Sequence, residues 1–78
     1  MAKIRLPVEL RKLGGNIRRI RVLQEMSQER LAELADINAR TLRRIEAGEI
    51  NILITTVARI RDAMGCKWDD LVPPEWKR

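Results

Sequence analysis

The chain has 78 residues, enough for one modest core and too few for a second, which argues against an enzyme built around a deep cleft. Its apolar residues include two Trp but no Phe or Tyr, so the core is aliphatic and suits packed helices; no His and a single Cys exclude an internal disulfide and a zinc set. The net charge of +5 is uneven, with seven Lys or Arg against one Glu in residues 1–23 and nine against ten acidic residues thereafter, a distribution that attracts polyanions or simply aids solubility.

Met1 to Leu6 reads as a short basic arm bearing Lys3 and Arg5, a frayed terminus more than a groove contact. Residues 1–12 hold this arm and the start of helix 1, residues 13–72 the folded domain, and residues 73–78 a C-terminal tail. Pro7 suits the first turn of a helix, and Val8, Leu10, Leu13, Ile17, Ile20 and Leu23 make an apolar stripe that runs to about Gln24. Gly14-Gly15 interrupt it. Either one long helix is weakened there, or a short pre-helix ends and the main one begins. Arg18 and Arg19 are equally consistent with a solvated face and with phosphate contact.

Ser27 is a good N-cap, and Leu31, Ala32, Leu34 and Ala35 give the following helix an apolar face. Asp36-Ile37-Asn38 break the pattern. Asn38 then caps a third helix whose inner side holds Leu42 and Ile45 and whose end is marked by Gly48. Its other side carries Arg40, Arg43, Arg44 and Ala47. Two short helices joined by a tight turn, the second presenting arginines opposite an apolar face, suit a helix that enters the DNA major groove. Arginine can bond O6 and N7 of guanine in a bidentate way, whereas the same side chains, and Thr41, can instead hold phosphates without reading sequence.

A fourth helix is expected from Ile52 to Met64 with Ile54, Val57, Ile60 and Met64 inward and Gly65 as its stop. Arg61 either runs along the surface or pairs with Asp62 or Asp69. Cys66 reads as a small buried apolar residue. Trp68 to Val72 makes a short fifth helix with Asp69 and Asp70 in its first turn. Val72, Pro73, Pro74 and Trp76 follow as an apolar strip, either a contact surface or a tail folded over its own core. No segment approaches the roughly 18 apolar residues of a membrane span and the start lacks the apolar block of a signal peptide, so a cytoplasmic protein is expected.

The stretch LGGNIRRIRVLQEMSQERLAELADINARTLRRIEAGE, followed by LITTVARIRDAMG and DDLV, resembles the lambda-repressor-like (XRE, Cro) DNA-binding domains. Arg21, Ser27-Gln28, Leu31-Ala32, Ile37, Leu42, Ile45-Glu46 and Gly48 agree together, from about Leu13 to Leu71. The resemblance implies an all-α, compact five-helix domain with the helix-turn-helix at helices 2 and 3. It implies an ion pair between Arg21 and Glu46, a phosphate contact from Gln28, and base reading by Ala39, Arg40 and Arg44 with Arg43 beside them. It further implies a homodimer built from the C-terminal end, here Trp68, Leu71, Val72 and Trp76. Asp36 stands where the family has glycine, and Glu49 and Ile52 stand where basic residues and a proline are common.

The function implied is a sequence-specific regulator that binds a near-palindromic operator in double-stranded DNA as a homodimeric repressor or autoregulator. Phage repressors, restriction-modification controllers and antitoxins, the last with a toxin or other protein partner, share this shape. The alternative is a protein-interaction module on the same scaffold that binds no specific DNA. No nucleophile stands beside a base and no glycine-rich phosphate loop is present, so neither an enzyme nor a cofactor or metal is expected.

Overall fold

Short polar side chains start the two helices at the centre of the chain. Ser27 Oγ accepts the backbone N–H of Arg30 at 2.9 Å, and Asn38 Oδ1 accepts that of Arg40 at 2.7 Å, each satisfying one of the donors a helix start leaves free. The computed structural model describes residues 6–77, so of the arm expected over Met1 to Leu6 the first five residues lie outside the described residues, and Leu6 already belongs to a helix. Five helices follow in order: α1 (Leu6–Leu23), α2 (Gln28–Ala35), α3 (Ala39–Glu46), α4 (Ile54–Met64) and α5 (Trp68–Leu71), then one 3-10 turn over Pro74–Trp76. There is no strand among the described residues.

Four helices end in the same way. Glu25, Asp36, Gly48 and Gly65 take left-handed φ values of 56°, 56°, 72° and 64°. The residue after each donates back five positions, as in Met26 N to Arg21 O at 3.1 Å and Ile37 N to Ala32 O at 2.9 Å, which closes off carbonyls that would otherwise be open. The turn of the helix-turn-helix is therefore intact with Asp36 in the glycine's place.

The core is aliphatic: Leu13, Ile17 and Ile20 from α1, Leu31, Ala32 and Ala35 from α2, Leu42 and Ile45 from α3, Val57, Ile60 and Met64 from α4, and Leu71 from α5. Helix α1 runs unbroken through Gly14-Gly15 and across the boundary expected at Leu13. Three apolar residues expected inside are outside: Leu23, Leu34 and Ile54 are 71%, 44% and 69% exposed. Gln24 takes the edge expected for Leu23 and donates from Nε2 to the carbonyl of Met64 at 2.7 Å, tying the ends of α1 and α4. Helix α4 starts at Ile54, two residues later than the spacing suggested, because Ile50 and Ile52 turn towards the core from the preceding loop. Cys66 is only half-buried; burial pushes its thiol above the ordinary range, and the charge of Asp70 adds to this.

The tail folds back on its own chain. Pro73 is fully buried, the Trp76 indole donates to Glu9 Oε2 at 2.5 Å, and Lys12 pairs with Glu75. The Lys12 hydrogen bond holds the Glu75 carboxyl below its usual range. Asn16 Nδ2 reaches the carbonyl of Leu71 at 2.9 Å. Leu71 itself has no exposed surface, so it fills the core and has nothing to offer to a second copy, contrary to the expectation for it. Arg61 bonds Asp62 at 2.8 Å and lies 5.3 Å from the centroid of the Trp68 ring.

Candidate nucleic-acid interface

Alternation along α3 separates its two roles. Leu42 and Ile45 are buried at 0% and 3% exposure, and the intervening Arg40, Arg43, Arg44 and Ala47 are exposed. The positions three and four apart on a helix share a face, so the side that anchors α3 is distinct from the side that offers guanidinium groups. Arg43 Nη1 stands 3.5 Å from Glu29 Oε2 on α2; among the described residues no carboxylate forms an ion pair with Arg40 or Arg44. Ala39 is half-buried and its methyl packs on the core, and Thr41 is also half-buried. Arg18 and Arg19 are exposed on α1.

The far end of α3 is held by charge. Arg21 Nε donates to Glu46 Oε2 at 2.7 Å and Nη2 to Oε1 at 3.0 Å, a bidentate pair whose side chains are 10% and 3% exposed. Arg21 Nη1 also donates to the carbonyl of Met26 at 2.8 Å, which fixes the turn between α1 and α2. Gln28 is turned inward: its Nε2 donates to Glu46 Oε1 at 3.0 Å. One carboxylate thus joins α1, α2 and α3.

Two glycines make this end of α3 possible. A β-carbon on Gly14 would stand 2.2 Å from the carbonyl oxygen of Ile45 and 2.8 Å from that of Glu46, so α1 and the last turn of α3 touch backbone to backbone. A β-carbon on Gly48 would meet Arg11 at 2.4 Å, and its φ of 72° already favours glycine. Arg11, Gly14, Arg18 and Arg21 therefore share the side of α1 that meets α3 and its following loop. The contacts of Gly14 and Arg11 have no counterpart in local sequence pattern; the only signal was a glycine pair inside an otherwise regular helix.

Two helices joined by a left-handed aspartate, the second exposing three arginines and locked at its end, define a helix-turn-helix DNA-binding protein. Residues 17–71 match the sequence model described as helix-turn-helix, and the chain belongs to that family, of the lambda-repressor-like (XRE) kind. Among solved structures, the chain is similar to the restriction-modification controller protein C.AhdI from Aeromonas hydrophila. The two are 25% identical with a TM-score of 0.79, over 82% of this chain and 97% of that one. No curated protein matches. The protein is a DNA-binding transcriptional regulator, and its partner is double-stranded DNA. No helix among the described residues is long and apolar enough to cross a membrane.

Proposed function

We propose that the protein is a homodimeric repressor or autoregulator that inserts α3 into the major groove, reading bases with Arg44, Arg40 and Arg43. The observation that carries this is the exposed arginine face of α3 opposite buried Leu42 and Ile45. Ala39 is the weakest base contact of the four, since its methyl is engaged by the core. Gln28, Thr41, Arg18 and Arg19 hold phosphates and set the register of the domain on the duplex. Two copies related by a two-fold axis would place their α3 helices about 34 Å apart on a near-palindromic operator. The likeness to C.AhdI favours a controller role over that of a phage repressor or antitoxin. On this reading the protein works in the cytoplasm and has no catalytic role.

Dimerisation uses the C-terminal end, where Trp68 and Val72 are half-buried and Trp76 is 43% exposed, with Leu71 beneath them. Trp76→Ala should weaken association measured by ultracentrifugation. Unchanged association in that variant, together with loss in Leu53→Asp, would move the contact to the start of α4, where Leu53 is 72% exposed. For DNA, Arg44→Ala should relax specificity at one base pair per half-site, whereas Arg18→Ala should weaken binding to all sequences and lower the salt slope by about one. The same uniform loss from both variants would refute the assignment of Arg44 to base reading.

A further inference from the structure

The inward turn of Gln28 gives Glu46 a second task. Gln28 follows the cap of α2, where the first backbone N–H groups have no partner within the helix. A side-chain amide carries two N–H donors and one acceptor oxygen, and a carboxylate only accepts. With Nε2 bonded to Glu46 Oε1 at 3.0 Å, the amide cannot flip, because flipping would set its oxygen against the carboxylate. One N–H is spent on Glu46 and the other remains to donate.

Glu46 is itself fixed, since Arg21 bonds both of its oxygens and its side chain is 3% exposed. We propose that Glu46 is a positioning residue for DNA binding: it holds the Gln28 amide with its second N–H available to a phosphate oxygen, and so sets that grip in register with α3. This rests on the phosphate contact assigned to Gln28. The consequence is that one carboxylate fixes both the helix that reads bases and the side chain that grips the backbone. Anchoring an amide before DNA arrives also removes the ordering cost that a free glutamine side chain would add on binding.

The test uses the whole chain and a short duplex of random sequence, with affinity read by fluorescence anisotropy at about 0.1 M salt, where phosphate contacts dominate. Gln28→Ala, Glu46→Gln and the double variant are compared with the wild type. Loss of one hydrogen bond should weaken binding about threefold to tenfold in each single variant. The double variant should lose no more than the weaker-binding single variant. Full affinity in Gln28→Ala would refute the phosphate contact itself. A loss in Gln28→Ala with none in Glu46→Gln, or two losses that multiply, would leave that contact standing and overturn the role of Glu46.

A second measurement needs no folded variant. In the free wild-type protein the Gln28 side-chain amide should show nitrogen relaxation as restrained as the α2 backbone, and a freely rotating amide would overturn the proposal. Where Glu46→Gln folds, the amide should gain mobility while the backbone amides of α2 keep theirs. A purely structural role for Glu46 would not separate the two signals.

Discussion

Gly14 and Gly15 are neighbours in one helix with opposite surroundings, which makes them a controlled pair. Replacing either by alanine should add the same helix propensity, about 0.5–1 kcal/mol. At Gly15 nothing lies within 4 Å of the new β-carbon, so Gly15→Ala should stabilise by that amount. At Gly14 the new carbon would stand 2.2 Å from the carbonyl oxygen of Ile45 and 2.9 Å from the carbonyl carbon of Glu46. An ordinary carbon-to-oxygen contact is about 3.3–3.6 Å, so the last turn of α3 must retreat from α1 by roughly 1 Å. Backbone atoms cannot rotate out of the way. Overpacking of this kind costs about 1–3 kcal/mol, and because the propensity gain is common to both variants, the difference between them measures that cost directly. Urea denaturation followed by circular dichroism should place Gly14→Ala below Gly15→Ala by this margin, about 4–8 °C in melting temperature for each kcal/mol. Equal stability in the two variants would refute the close approach of α1 to α3.

Arg21→Ala should destabilise by about 3–5 kcal/mol, because the Glu46 carboxylate is left buried without its partner; a loss under 1 kcal/mol in the same denaturation would contradict the buried pair. Glu25→Gly should stabilise by up to about 1 kcal/mol, since glycine adopts the left-handed φ of 56° without the penalty of a β-carbon, and Asp36→Gly should gain less because aspartate tolerates that region better. Asp36→Gly also removes a negative charge from the turn, so its affinity for duplex DNA should rise, and lower affinity would show that the turn needs aspartate. The Glu75 carboxyl titrates below its usual range, so its contribution is present above about pH 4.3 and disappears as the pH falls through the lowered value. Stability curves of wild type and Glu75→Gln should therefore converge in acid and separate towards neutral pH; parallel curves would argue against the Lys12–Glu75 pair.

Local signals were legible where the chemistry is local. Ser27 and Asn38 cap as their side chains suggest, Gly48 and Gly65 end their helices, and Asp36 takes the left-handed turn. The Arg21–Glu46 pair came from family resemblance, and its bidentate geometry is present. Contacts made across the fold were not legible. Periodicity placed Leu23, Leu34 and Ile54 inside because apolar spacing marks a face without saying whether a neighbour covers it. Glu9 is buried at 4% exposure because the Trp76 indole comes back to bond it, a partner 67 residues away that no local pattern announces. Gly14 looked like a weakness in a helix and is the place where another helix touches it. The inward bond of Gln28 reaches Glu46 on another helix and was hidden for the same reason, the resemblance implying only a phosphate contact.

The central claim is that the arginines of α3 read base edges on a two-fold operator. It is tested most directly by selecting bound sequences from random duplex DNA at about 0.15 M salt and weighing the selected complex. The expected result is a near-palindrome with half-sites about one turn of DNA apart, bound by two chains. Enrichment of no sequence, with only salt-sensitive general binding, would contradict it and favour an interaction module on the same scaffold.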